Sequence, residues 1–290
     1  MKFDKNTKIL IVGLGLIGGS YAKALSDEGY FVGAIDKKKS SVEYALKNGL
    51  IQVGETSVKK DFVKDFDLIV FALYPHDFIN WIKEYQSFIK PGALITDVTG
   101  VKSFVVENVQ KILRGDLEFV GAHPMAGKEV SGVENADPKI FVGANYIVTP
   151  TKRNTDENVQ AVKDLGRALG FERISSLSPE EHDETVGFLS HLTHCIAVSL
   201  MVSKKSHHLA EYTGDSFRDL TRIAKINDEM WSELFLANKD ELLKQMDLFE
   251  EKFNQLKEDI KNDNREKIRE TLRESTARRK VFDKDAKETK

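Results

Sequence analysis

Short apolar runs alternate with amphipathic segments over the first 176 residues of the chain. The apolar runs predict five strands, at residues 8–12, 31–35, 68–72, 93–96 and 118–120. The segments between them predict four helices, at residues 16–28, 40–48, 76–88 and 101–113. Strands that are apolar throughout are buried on both faces. The alternation therefore predicts an α/β Rossmann fold with a doubly wound, mostly parallel sheet. We expect residues 145–149, 156–169 and 172–176 to extend that sheet as strand, helix and strand.

The pattern changes after residue 176. Ser178 is a predicted N-cap, Pro179 occupies the first helical position, and Glu181 completes a capping box. From there apolar positions recur every three or four residues, and we find no segment that predicts a strand. The sequence therefore predicts two domains, a Rossmann domain over residues 1–176 and an all-α helical domain over residues 177–290. The helix after Ser178 is apolar nearly all round, which is typical of a core or a subunit interface and predicts a homodimer.

Charge and cysteine content narrow the class of protein. The 43 basic and 46 acidic residues give a net charge of -3, which offers no general attraction to nucleic acid or to an anionic membrane. Cys195 is the single cysteine, so we expect no intrachain disulfide and no metal site. We identify no run close to the roughly 20 apolar residues of a membrane span, and no signal-peptide core. A cytoplasmic protein is expected.

A glycine-rich segment follows the first predicted strand. It has the form G-x-G-x-x-G, opens a helix, and precedes a second strand that ends in an aspartate. This context is the fingerprint of dinucleotide binding, in which backbone amides approach the pyrophosphate and the carboxylate accepts hydrogen bonds from the ribose. The carboxylate repels a 2′-phosphate, which favours NAD over NADP, although the lysines at 37–39 soften that preference. The predicted cofactor-binding residues are Gly13, Gly15, Leu16, Ile17, Gly18 and Asp36.

Candidate chemistry lies in both predicted domains. His123 follows a strand in a segment of turn-forming residues, and loops at the carboxyl ends of parallel strands border the ligand crevice. A histidine there could accept a hydroxyl proton while a hydride leaves the same carbon. In the helical domain, Arg218 and Arg222 are four residues apart, and Asp219 precedes Arg222 by three. We expect Asp219 to hold Arg222 in place as a carboxylate clamp.

Six motifs, in order and spread over nearly the whole chain, resemble those of the prephenate dehydrogenase family, which is related to arogenate dehydrogenases. They are GLGLIGGS, DVTGVK, GAHPMAGKE, SPEEHD, SHLTH and FRDLTRIA. The resemblance implies NAD+-dependent oxidative decarboxylation of prephenate to 4-hydroxyphenylpyruvate in tyrosine biosynthesis. It also implies that His123 takes the proton of the ring hydroxyl, Arg222 binds a substrate carboxylate, and His194 lies at the pyruvyl chain. His182 and Glu129 match accessory positions that shape the pocket and its charge.

The chain departs from the family pattern at one position. Many members have a serine before the Val-Lys of the DVTGVK-like segment, and Gly100 stands there in this chain. Either Thr99 supplies the missing hydroxyl or a water does, and Thr99 is therefore included among the candidate substrate-binding residues. The resemblance includes no regulatory C-terminal module of the kind some relatives carry, so we expect no tyrosine feedback through such a module.

Three other functions are weighed against this one. An arogenate dehydrogenase, or a cyclohexadienyl dehydrogenase that accepts both substrates, differs mainly around His194. A β-hydroxyacid dehydrogenase normally uses a lysine base in its helical domain, and the HPMAG segment argues against it. An NAD-sensing protein needs neither a proton acceptor nor a carboxylate clamp, whereas His123 and Arg222 are both present.

Overall fold

The structure, a computed structural model, describes residues 1–205 and 208–282. Its contacts divide the chain into a compact unit of Met1–Lys239 and a second unit that begins at Asp240. The predicted domain boundary after residue 176 stays a prediction, and residues 283–290 of the predicted helical domain lie outside the described part.

A six-stranded parallel sheet forms the centre of the first unit. Its strands are β1 (Lys8–Val12), β2 (Phe31–Ile35), β3 (Val53–Glu55), β4 (Leu68–Phe71), β5 (Leu94–Asp97) and β6 (Glu118–Phe119). The strand order is β3-β2-β1-β4-β5-β6, and every neighbouring pair is parallel. The helices that cover it are α1 (Leu16–Asp27), α2 (Lys39–Lys47), α3 (Lys60–Val63), α4 (Pro75–Tyr85) and α5 (Ser103–Ile112). Apolar clusters lie on both faces of the sheet, which confirms the predicted Rossmann fold.

The expected extension of this sheet is wrong, because the next strands form a sheet of their own. They are β7 (Gly121–Met125), β8 (Asn145–Thr149) and β9 (Arg173–Ser176), with α6 (Asp156–Ala168) between the last two. β7 runs antiparallel to β8, and β8 runs parallel to β9. The reason lies at the end of β5, where the Asp97 carboxylate accepts the Ala122 amide at 3.0 Å. A side chain thus replaces the backbone partner there, and the chain leaves the parallel sheet.

Beyond residue 176, the described residues form helices and turns. The long helices are α7 (Pro179–Val186), α8 (Thr193–Val202), α9 (Asp215–Thr221), α10 (Asp228–Ala237), α11 (Lys239–Lys261) and α12 (Arg265–Arg279). The predicted capping box is confirmed. Ser178 Oγ accepts the Glu181 amide at 3.1 Å, and Glu181 Oε2 accepts the Ser178 amide at 2.8 Å. A π-helical turn, Gly187–Leu192, joins α7 to α8 without a break.

The continuous helix Pro179–Val202 corrects one expectation from the sequence. By length and composition it is apolar enough to cross a membrane, although core helices of soluble proteins pass the same test. Polar residues such as Ser190 and Thr193 interrupt the apolar run, which is why no span was predicted. Only 28% of its most apolar stretch is buried within the chain. Much of this helix therefore presents apolar side chains that no described part of the chain covers.

Candidate active site

The three glycines of the fingerprint have distinct structural roles. Gly13 has a φ of +99°, and a Cβ there would lie 2.4 Å from the Ala72 carbonyl oxygen. A Cβ on Gly18 would lie 2.0 Å from the carbonyl oxygen of Gly13. A Cβ on Gly15, in contrast, would have no atom within 4 Å. Gly13 and Gly18 therefore let the turn close against β4 and α1, whereas Gly15 leaves the surface of the turn open.

This turn offers donors to an anionic ligand. Gly15 is the N-cap of α1 and makes no side-chain cap. The first amides of a helix lack intrahelical acceptors, so those of Leu16 and Ile17 remain for an external oxygen. Asp36, at the end of β2, accepts the Leu14 amide at 2.7 Å and the Lys38 amide at 2.8 Å. The carboxylate is thus fixed beside the turn, which fits a phosphate next to a ribose.

A hydrogen-bonded relay joins β7 to α7. His123 Nδ1 lies 2.8 Å from His182 Nε2, and His182 Nδ1 lies 2.8 Å from Asp183 Oδ1. His123 was predicted to lie on a loop, which is wrong, since it pairs with Ile147 in the ladder between β7 and β8. Turn-forming residues around it hid the strand, which depends on a partner more than twenty residues away. The ladder fixes the backbone of His123 more firmly than a loop would.

The Asp183 carboxylate, at one end of the relay, determines which ring nitrogens of the two histidines carry protons. Asp183 is ionised, because hydrogen bonds from His182 and from two backbone amides hold the pKa of its carboxyl below the usual range against the effect of burial. Since a carboxylate only accepts, His182 donates from Nδ1 and accepts at Nε2. His123 then donates from Nδ1, and its Nε2 lone pair meets no donor among the residues that the structure describes. Burial, with smaller contributions from the charges of His182 and Lys102, holds the pKa of His123 well below its usual range. His123 is therefore a neutral base at pH 7.

Asp183 also anchors the segment that leads into α5. Its two carboxylate oxygens accept the amides of Lys102 and Ser103, each at 2.8 Å. The side chain of Lys102 is fully buried and donates to Asp97 Oδ2 at 2.6 Å. The end of β5, the start of α5 and the middle of α7 thus meet at one polar hub. Its buried ammonium faces a carboxylate, as a buried charge requires.

Thr99 belongs to this hub. Its hydroxyl donates to Asp97, accepts from Lys102 Nζ at 3.1 Å, and the side chain is 4% exposed. The Thr99 hydroxyl is therefore bonded to Asp97 and Lys102 and is not directed at His123. Gly100 does face the base: a Cβ there would lie 3.8 Å from His123 Nε2 and 3.5 Å from the Leu234 side chain. The missing side chain leaves a recess beside the free lone pair of His123.

A second group of side chains comes from distant parts of the sequence. Arg222 donates to Glu129, which is 93 residues away in the sequence. The structure thus corrects the expected pair of Arg222 with Asp219. His194 Nδ1 donates to the Ser190 carbonyl oxygen at 2.8 Å, so Nε2 of the neutral ring carries a lone pair. Burial and the charge of Arg222 lower the pKa of His194 against the opposing hydrogen bond to Ser190.

Aromatic and polar side chains support these histidines. The ring of Trp231 stacks on that of His194, with centroids 3.7 Å apart. His191 is 1% exposed and meets Asn238 Nδ2 at 3.3 Å. Burial lowers the pKa of His191 to about 4, and the charges of His182 and His194 act in the same direction. Asn238 Nδ2 also donates to the Asp183 carbonyl oxygen at 2.9 Å, so Asn238 links His191 to the helix that carries the relay.

Sequence analysis named the histidines and Arg222 but missed their supports. Asp183, Lys102 and Asp97 all lie within the quoted motifs SPEEHD and DVTGVK. Of the three, Asp183 could have been identified from the sequence, because it is adjacent to the candidate residue His182. Trp231 lies outside the six motifs, and nothing local in the sequence connects it to His194.

Known proteins are similar to this chain over most of its length. Residues 21–173 match the family model described as prephenate dehydrogenase, nucleotide-binding domain, and residues 178–274 match prephenate dehydrogenase, dimerization domain. A prephenate dehydrogenase of Bacillus subtilis is 34% identical over 82% of this chain, which spans 66% of that protein. A cyclohexadienyl dehydrogenase of Zymomonas mobilis is 29% identical, over 96% of each chain.

A solved crystal structure is also similar to this chain. The crystal structure of Aquifex aeolicus prephenate dehydrogenase, in complex with hydroxyphenyl propionate and NAD+, has a TM-score of 0.87 to this chain. It is 34% identical, and the match covers 96% of this chain and 98% of that one.

Proposed function

The chain belongs to the prephenate dehydrogenase family, and on that basis we propose that it oxidises and decarboxylates prephenate to 4-hydroxyphenylpyruvate with NAD+. The observation that carries the proposal is the relay from Asp183 through His182 to His123, which leaves a neutral base with a free Nε2. Such a base suits a reaction that removes a hydroxyl proton as a hydride leaves the same carbon. The product serves tyrosine biosynthesis.

His123 moves one proton in each direction during the reaction. Nε2 accepts the proton of the ring 4-hydroxyl while the hydrogen on C4 leaves with its electron pair. The bond between C1 and the ring carboxylate then breaks, carbon dioxide leaves, and the bonding electrons complete the aromatic ring. The new phenolate oxygen recovers the proton from His123 Nε2. Atoms and charge balance with one prephenate and one NAD+ consumed, and one 4-hydroxyphenylpyruvate, one carbon dioxide and one NADH formed.

Arg222 and His194 are the two groups that we assign to the two ends of prephenate. Arg222 is 65% exposed at its side chain and is held by Glu129, so its remaining guanidinium donors stay available to a carboxylate. His194 Nδ1 donates to the Ser190 carbonyl oxygen, so Nε2 of the neutral ring carries a lone pair and becomes a donor to the pyruvyl chain when the ring is protonated. We assign Arg222 to one carboxylate and His194 to the pyruvyl chain, with Glu129 and His182 as supporting residues. Thr99 holds Asp97 and Lys102 in our assignment, and the recess at Gly100 receives the ring hydroxyl or a water.

NAD+, when bound, supplies the acceptor for the hydride. The glycine turn fits its pyrophosphate, because Gly15 leaves the approach open and the first amides of α1 are uncapped. Asp36 is positioned for the adenosine ribose hydroxyls, and its carboxylate disfavours a 2′-phosphate. We therefore assign the cofactor site to Gly13, Gly15, Leu16, Ile17, Gly18 and Asp36.

An absorbance assay at 340 nm tests the proposed function. The purified chain is given prephenate or arogenate, each with NAD+ or NADP+, and the initial rates of cofactor reduction are compared. Fast reduction of NAD+ with prephenate supports the proposal. Reduction with neither substrate, despite measurable binding of NAD+, would contradict it and favour a protein that senses the cofactor.

A dual-specificity cyclohexadienyl dehydrogenase is the second candidate. Its support is the Zymomonas mobilis cyclohexadienyl dehydrogenase, which matches over 96% of each chain. In arogenate an amino acid replaces the pyruvyl ketone, so discrimination falls to the surroundings of His194. Comparable kcat/KM values for the two substrates in the same assay would favour this candidate.

Substitutions in the glycine turn should separate cofactor binding from folding. We expect Gly18→Ala to destabilise the fold by more than about 1 kcal/mol, because its Cβ would meet the Gly13 carbonyl oxygen at 2.0 Å. Gly15→Ala meets no protein atom, so it should leave the unfolding free energy nearly unchanged while raising the Kd for NAD+. Urea unfolding and calorimetric titration measure the two quantities. Equal NAD+ affinity in Gly15→Ala and the parent chain would contradict the proposed approach of the pyrophosphate.

We further propose a cytoplasmic homodimer formed through the helical domain. Its support is the match to the dimerization domain and the exposed apolar side chains of the Pro179–Val202 helix. Phe188, Leu189 and Val202 there are 54%, 48% and 74% exposed. Light scattering of the chain at micromolar concentration should give twice the 32.8 kDa of one chain. A stable species of that single mass would contradict the dimer.

A further inference from the structure

Helix α10 supports the site but contributes none of its proposed catalytic groups. Trp231 on α10 stacks on His194, and Leu234 borders the recess at Gly100. Leu234 is 7% exposed and packs with the apolar cluster on the face of the sheet covered by α4 and α5. The position of α10 thus sets the wall of the substrate pocket.

α10 is tied by polar contacts to the turn between β4 and α4. Glu233 accepts the backbone amide of His76 at 2.6 Å and also contacts the His76 ring nitrogen Nδ1. Asn227, the N-cap of α10, donates from Nδ2 to the Tyr74 hydroxyl at 3.1 Å. The side chain of Glu233 is 16% exposed, so its carboxylate is largely withdrawn from water and depends on these donors.

The same turn borders the glycine-rich segment on its other side. A Cβ on Gly13 would lie 2.4 Å from the Ala72 carbonyl oxygen and 3.0 Å from a methyl group of Leu73. A Cβ on Gly18 would lie 3.0 Å from the Cβ of Ala72. The stretch from Ala72 to His76 is therefore in contact with the proposed pyrophosphate turn at one end and with α10 at the other.

We propose that Glu233 is a positioning residue, which latches α10 onto the β4–α4 turn and so couples occupation of the cofactor site to the shape of the substrate pocket. A dinucleotide on the glycine turn fixes Ala72 and Leu73 in position. Because Glu233 holds α10 to the same stretch of chain, the position of α10 is then also restricted, and with it the stacking of Trp231 on His194. Because coupling between two ligands is reciprocal, substrate in the pocket strengthens cofactor binding by the same factor. The inference rests on the proposed function for the identity of both ligands.

Calorimetric titration of the full chain with 4-hydroxyphenylpyruvate, with and without saturating NAD+, measures this coupling as the ratio of two Kd values. We expect the parent chain to bind the product about fivefold or more tightly when NAD+ is present. Glu233→Gln keeps the size of the side chain but removes its charge, and should bring the ratio below about twofold. Tyr74→Phe, which removes only the hydroxyl, should give an intermediate ratio. Glu229→Gln, the same change at an exposed position one turn earlier on α10, is the matched control and should keep the parent ratio.

Trp231 provides a second readout that needs no turnover. The chain has two tryptophans, and Trp81 is 8% exposed in the core, so it supplies a background common to all variants. Release of α10 should separate Trp231 from His194 and change the emission of Glu233→Gln but not that of Glu229→Gln. In the 340 nm assay, KM for prephenate should rise more than kcat falls in Glu233→Gln.

The latch and the proposed function fail in different ways. A parent chain whose ratio is one, or a Glu233→Gln variant whose ratio equals that of the parent, overturns the latch even if prephenate is oxidised rapidly. Absence of turnover in the parent chain overturns the proposed function, whereas the emission of Trp231 still tests whether Glu233 positions α10. An unchanged emission in Glu233→Gln also overturns the latch.

Discussion

The His123→Asn variant should lose most of its turnover of prephenate while it still binds NAD+. Asparagine keeps a polar side chain on β7 but offers no basic nitrogen, so the ring hydroxyl has no acceptor as the hydride leaves. Loss of a positioned general base lowers kcat by about 10²–10⁴-fold. The rate of NADH formation at 340 nm measures the loss, and calorimetric titration with NAD+ checks that the cofactor site is intact.

An exposed histidine provides the control for this result. His208 lies outside the relay, with its ring near Glu211, so His208→Asn should turn over prephenate at the parent rate. A His123→Asn variant that keeps more than roughly a tenth of the parent kcat would place the base elsewhere.

Asp183→Asn should be nearly as damaging, although Asp183 touches neither substrate nor cofactor in our proposal. The amide would donate to His182 Nδ1, which then has to accept, so that His182 carries its proton on Nε2. That proton would point at His123 Nδ1 and move the proton of His123 onto Nε2, where the base is needed. A base held in the wrong tautomer costs about 10²–10⁴-fold in kcat.

The same substitution also has a cost in stability. Asp183 accepts two backbone amides, from Lys102 and Ser103, and an asparagine has one acceptor oxygen for both. We expect the free energy of unfolding in urea to fall by about 1–3 kcal/mol. Asp156→Asn, at an exposed position in the first turn of α6, serves as the control and should change neither quantity appreciably. Parent-like kcat in Asp183→Asn would show that the relay does not set the tautomer of His123.

Local patterns were sufficient for much of the fold and for the conformation of the glycine-rich turn. The strands of the parallel sheet are short, apolar and separated by amphipathic helices, so periodicity alone located most of them. The glycine fingerprint likewise depends on neighbours in the sequence, and Gly13, Gly18 and Asp36 lie where the motif requires. The capping box at Ser178 is of the same kind.

Features that depend on distant partners were predicted less well. His123 lies on a strand because β8 pairs with it, although glycine and proline nearby favour a turn. Arg222 meets Glu129 rather than Asp219, because the fold brings a residue 93 positions away closer to the guanidinium than a helical neighbour. The hydroxyl of Thr99 is engaged because Lys102 is buried beside it, and nothing in the sequence indicates that a lysine is fully buried.

The π-helical turn Gly187–Leu192 allows the two ends of the pocket to change orientation independently of each other. A π turn holds one residue more than an α turn, and each residue of an α-helix advances the direction of the side chains by about 100°. His182 precedes the turn, and His194 follows it. Deletion of a single residue within it would restore a regular helix and rotate His194 away from Trp231, while His182 kept its place beside His123. The length of this turn thus sets the direction of the side chains that follow it. One insertion or deletion there would turn His194 at the substrate end of the pocket and leave His123, the proton acceptor, in place.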